Sequence, residues 1–164
     1  MYFTDIARAP THCLLCEVPA QSVPRAFFVG GVAASATSGA LVAVGHRAGG
    51  AGLPFAAIGA LLLHRTPSNG AVALVLVGVV THVAMMFVWS LAFVLIVQRA
   101  RYGVIRAALG VAAAQFVASW VAAWSTGEGL ASVLPLGDRL VLAVVLVMAL
   151  AVGMRVGFSP PQNA

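Results

Sequence analysis

Apolar residues in this chain gather into four long runs almost free of charge, at residues 26–45, 70–97, 104–124 and 140–158. Each reaches the roughly 18–20 residues a helix needs to cross a ~30 Å hydrocarbon core. A soluble chain of this length has no use for four such runs. The pattern predicts an all-α integral membrane four-helix bundle. Between the first two runs lies a fifth apolar stretch, residues 53–64, too short to span. It is flanked by glycines and by Thr66-Pro67-Ser68-Asn69-Gly70, and it predicts a short interfacial or re-entrant helix. The second run, at ~42 Å as a helix, must tilt or project beyond the bilayer.

Outside the runs the chain divides simply. Residues 1–25 form a polar N-terminal arm whose three prolines, Pro10, Pro19 and Pro24, forbid a long helix. Met1–Ala9 could still form a short interfacial helix. The arm does not have the layout of a secretory signal, and it reads as a retained cytoplasmic segment. Residues 125–139 read as an outer loop carrying Glu128 and Asp138, and residues 159–164 as a disordered tail.

Small residues recur at four-residue spacing in two runs. In the first, Gly31, Ser35 and Gly39 form one register, and Gly30, Ala34 and Ser38 the next. In the third, Gly110, Ala114 and Ala118 repeat the pattern. Such stripes let helix backbones approach closely in lipid, so Gly31, Ser35, Gly39, Gly110, Ala114 and Ala118 are the expected packing positions. Trp120 and Trp124 close the third run, where interface anchors belong.

Charge then orients the bundle. The chain has 164 residues, 62% hydrophobic and 8% charged, with net charge +5. Its nine basic residues are all arginine, and they sit beside the apolar runs rather than in a nucleic-acid-binding patch. Arginine-only usage with abundant Ala, Val and Gly suits a GC-rich bacterial genome, hence a bacterial inner membrane. With four spans, Arg8, Arg25, Arg99, Arg101, Arg106 and Arg155 share one side, and Arg47, Arg65 and Arg139 the other. Six against three predicts that both termini are cytoplasmic.

Candidate chemistry is sparse. His82 lies near the middle of the second run beside Thr81, at a depth where ionisable groups are costly and face protein or water. It could ligate haem, chlorophyll or copper, or act as a proton-relay group. The alternative favoured by the residues is a neutral imidazole hydrogen-bonded to another helix, through Ser35, Ser38 or Gln115. A bis-histidine haem needs a second histidine at membrane depth, and His12, His46 and His64 all lie at or outside the boundary. Gln115 and Thr81 are the other expected buried polar groups. Cys13 and Cys16 form a C-x-x-C after His12. No further ligand completes a zinc site, and Glu17 stands where a c-type haem signature needs histidine. No phosphate loop, HExxH helix or serine-nucleophile elbow is present, and no acid lies within a run. The expectation is therefore a non-catalytic protein with no metal and no resident cofactor. It would be an accessory or assembly subunit of a larger membrane complex, respiratory or photosynthetic, partnered by the lipid bilayer and by other transmembrane subunits or itself. The alternatives are a small homo-oligomeric transporter or channel, or a redox subunit holding haem, pigment or quinone at His82.

The stretch from Gly78 to Phe158, with its VGVVTHVAMMFVWSLAFVLIVQ second run, Arg/Tyr/Gly turn and tryptophan-ended third run, resembles uncharacterised bacterial four-span membrane proteins. Their second span carries a Gly-x-x-x-His motif, here Gly78 and His82. The resemblance implies a four-span fold and carries no activity with it.

Overall fold

The computed structural model describes residues 21–67, 71–100, 103–126 and 130–157. Residues 1–20 of the N-terminal arm, with Cys13 and Cys16, and the tail lie outside these, as does Glu128. Six helices follow one another: α1 (Ser22–Arg47), α2 (Leu53–Leu63), α3 (Val72–Ala100), α4 (Val104–Thr126), α5 (Leu130–Val133) and α6 (Leu136–Val156). The described residues contain no strand. Four of the helices, α1, α3, α4 and α6, are long and apolar enough to cross a membrane. The chain is a multi-pass membrane protein with an additional short apolar helix.

The spans form a ring in which α1 packs between α3 and α6, and α4 closes the other side against the same two helices. They run antiparallel in chain order. Ser22 Oγ, at the start of α1, donates to Gln98 Oε1 near the end of α3 over 2.6 Å. At the opposite end, Arg47 on α1 meets Asp138 on α6 at 2.6 Å. Both termini of the described chain therefore lie at one end of the bundle.

Two spans begin earlier than the apolar runs suggest. α1 starts at Ser22 and includes Pro24 and Arg25, because proline in a first turn forfeits no intrahelical hydrogen bond. α6 starts at Leu136, directly after the extended Pro135. Asp138 and Arg139 thus belong to its first turn and not to a loop, a correction to the expected boundary at residue 140. An acid in that turn complements the helix dipole. The expected loop also contains a helical turn, α5.

The core is assembled from small residues. α1 turns Ala26, Val29, Gly30, Ala33, Ala34, Thr37, Leu41 and Val44 inward, a single face at i, i+3/i+4 spacing. Gly30 lies against the Phe87 ring of α3, and Gly153 of α6 lies against Val29. Met86, Phe93, Val94, Ala108, Val111, Leu146 and Leu150 fill the centre.

The helix α2 is buried from Pro54 to Ala57 and again at Gly59 and Ala60. That half of the helix packs chiefly on α3, while Leu62 and Leu63 at its other end are exposed. Its entry is a glycine turn: Gly49 adopts φ +107°, and Gly45 has the backbone of Gly50 and Ala51 and the Pro54 ring folded over it. It then crosses α3 at bare backbone. A methyl group on Gly59 would fall on the Leu74 carbonyl, and one on Gly78 on the Phe55 carbonyl. The helix ends with His64 in the left-handed conformation and Arg65 N–H donating to the Ala60 carbonyl.

Candidate functional site: a polar cavity beneath the α5 turn

His82 is buried, 6% exposed, and faces the interior of the bundle. Its partner is Thr37, 4% exposed, on α1: Thr37 Oγ1 and His82 Nε2 are 3.0 Å apart. The hydroxyl proton has an acceptor already, the Ala33 carbonyl at 2.7 Å. One hydroxyl carries one proton, so the network assigns the imidazole proton to Nε2, which donates to Thr37. The expected interhelical hydrogen bond is present, but not to the residues anticipated for it. Ser35 is exposed on the outer face of α1 and Ser38 is only half-buried. Thr81 spends its hydroxyl on the Val77 carbonyl of its own helix, at 2.7 Å.

The Gly-x-x-x-His spacing now has a physical content. Positions i and i+4 share a helix face. Gly78 admits the α2 backbone, and the Phe55 ring carried by α2 packs edge-on against His82, with centroids 5.8 Å apart. Met86, four residues on, is buried on the same side.

Beside the Thr37–His82 pair lies a cavity of about 50 Å³, room for roughly three or four water-sized molecules. Gln115, Ser119 and Arg139 supply its other polar groups, and Leu41, Phe116 and Leu130 part of its apolar wall. Gln115 therefore shares a cavity with His82 without bonding to it. Ser119 Oγ donates to the Phe116 carbonyl at 2.8 Å. The helical turn α5 contributes Leu130, and Leu134 just after it packs with Leu41, Val44 and Phe55.

Arg139 is the feature the sequence did not mark. Its guanidinium stacks over Phe116, 5.6 Å from the ring centroid, within cation–π range. Nε and Nη1 are both buried and have no hydrogen-bond partner. The neighbouring carboxylate, Asp138, is taken by Arg47, and it is the only acid among the described residues. With the helix start set at residue 140, Arg139 was a loop cation. Pro135, which starts the helix earlier, is the signal that could have placed it inside.

The Nε2 atom of His82 is engaged by Thr37. Among the described residues no group of three His, Cys, Asp or Glu side chains could hold a metal ion.

The small-residue stripes divide. The Gly30–Ala34 register packs inside the bundle. Gly31 and Gly39 have open space where a side chain would project, Gly110 likewise, and Ser35, Ala114 and Ala118 are exposed. Within this chain those six positions bring no helices together.

The fold and cavity define a multi-pass, all-helical membrane protein with a small polar site inside the bundle. No protein-family model, curated protein or solved structure matches the chain, so the Gly78–His82 resemblance rests on its motif alone.

Proposed function

We propose that this protein is a non-catalytic transmembrane subunit of a bacterial inner membrane, with both termini cytoplasmic, that assembles with further transmembrane helices. One observation carries the reading: the stripes Gly31–Ser35–Gly39 on α1 and Gly110–Ala114–Ala118 on α4 face outward with open space beside their glycines. The bundle completes its own core without them. Stripes of this kind allow another helix backbone to approach closely, where van der Waals contact can replace lipid. The arginine asymmetry supports the orientation, and arginine-only basic usage supports the bacterial setting. A second reading, a small solute-handling protein, draws support from the polar cavity.

Mild-detergent extraction followed by native mass spectrometry tests the proposal. Wild-type protein is expected as a defined assembly, with copies of itself or with fixed partners. Gly39→Leu and Gly110→Leu should dissociate it while leaving the monomer folded, because a Cβ at either position has nothing within 4 Å. A strictly monomeric wild-type protein, or unchanged assembly in both variants, would sink the reading.

A further inference from the structure

We infer that the cavity around Arg139 is a binding site for a small monovalent anion, of the size of a halide, nitrate or formate. The inference does not depend on the assembly reading. A guanidinium stays protonated in a protein, and a cation removed from water is costly unless it is paired. Arg139 has two N–H-bearing nitrogens buried without an acceptor. The aromatic face of Phe116 at 5.6 Å screens it but cannot neutralise it. The adjacent carboxylate, Asp138, is engaged by Arg47 at 2.6 Å, so the positive charge remains uncompensated among the described residues.

The cavity's other polar groups fit the same ligand. Gln115 adds an amide that can donate, and no hydrogen bond within the described residues claims it. The Nε2 proton of His82 is not free for an anion, since it goes to Thr37. The remaining lining includes Leu41, Ala112, Leu142 and Ala143, apolar surface that keeps the local dielectric low and strengthens attraction to the guanidinium. The volume, about 50 Å³, admits an ion with a water or two. Gluconate, a much bulkier anion, is the poorer fit to that space. A phosphate oxygen of a lipid reaching in from the bundle's end offers related chemistry, and the test separates the two sources.

The experiment uses the full chain in maltoside micelles, at constant ionic strength, exchanging sodium gluconate for sodium nitrate. A ligand that binds only the folded state raises the unfolding temperature. The wild-type transition is expected to rise by several degrees and saturate, and Arg139→Gln is expected to lose the response. In the unmutated protein the Arg139 side-chain Nε–H resonance should shift with nitrate along the same curve, which keeps the test decisive if the variant does not fold. A transition and a resonance both indifferent to nitrate would overturn the proposal. So would a response that survives Arg139→Gln with the resonance unmoved. Repeating the titration in phosphatidylcholine–phosphatidylglycerol nanodiscs identifies the source. A response kept there supports a small solute anion. One present in micelles and abolished in nanodiscs assigns the site to lipid phosphate and overturns it.

Discussion

Replacing Thr37 by valine should cost more than replacing His82 by leucine. In the structure the Thr37 hydroxyl already donates to Ala33 at 2.7 Å. Losing the imidazole leaves that donor satisfied and deprives it only of an incoming bond. Thr37→Val is nearly isosteric but strands the His82 N–H in a site that is 6% exposed. A typical interhelical hydrogen bond in a membrane protein is worth about 0.6 kcal/mol, and the best about 1.7 kcal/mol. An orphaned buried donor adds a desolvation penalty of about 1–3 kcal/mol. Thr37→Val is therefore expected to destabilise by about 1.5–4.5 kcal/mol. His82→Leu should cost about 1 kcal/mol or less, because leucine restores apolar contact beside Phe55. In the double variant nothing is left unpaired, so it should be more stable than the sum of the single losses implies, with a coupling of about 1 kcal/mol. Equilibrium unfolding in mixed micelles, followed by circular dichroism, measures all four proteins. If Thr37→Val is the milder single change, or the two losses simply add, the hydrogen-bond assignment is wrong.

The α2–α3 crossing offers a steric test. Gly78→Ala should destabilise by about 2 kcal/mol or more, since its methyl group falls on the Phe55 carbonyl and helices cannot separate without losing packing. Gly110→Ala, in open space, should change stability by only a few tenths of a kcal/mol. Equal effects in the same unfolding assay would refute the crossing. At the end of α2, His64 holds φ 49°, a conformation costing a residue with a Cβ about 1–2 kcal/mol. His64→Gly should accordingly stabilise by about 0.5–1 kcal/mol, after allowing for the added freedom of glycine in the unfolded chain. A loss of stability would show that the imidazole makes a contact worth more than the strain.

The four spans and the short apolar helix were legible without any structure. The reason is that lipid acts on each segment separately: a run long enough and free of charge crosses whatever its neighbours do. The depth of His82 was equally plain, and with it the need for a partner. Which partner was not. Thr37, Ser35 and Ser38 lie on one helix within four residues, and only rotation about the α1 axis decides which faces α3. That rotation is set by packing, by Gly30 against Phe87 and Val29 against Gly153, and no local pattern reports it. The same rotation selects the Gly30–Ala34 register for the interior and leaves Gly31, Ser35 and Gly39 outside. Arg139 illustrates the remaining gap. As a sequence position it is a cation beside a span, one of nine arginines. Only the early start of α6 at Pro135, the pairing of Asp138 with Arg47, and the arrival of Phe116 from α4 turn it into an unpaired charge lining a cavity. Segment hydrophobicity is a one-dimensional property and was written in the chain. The neighbours of a buried polar group are a property of three packed helices, and only the tertiary structure decided them.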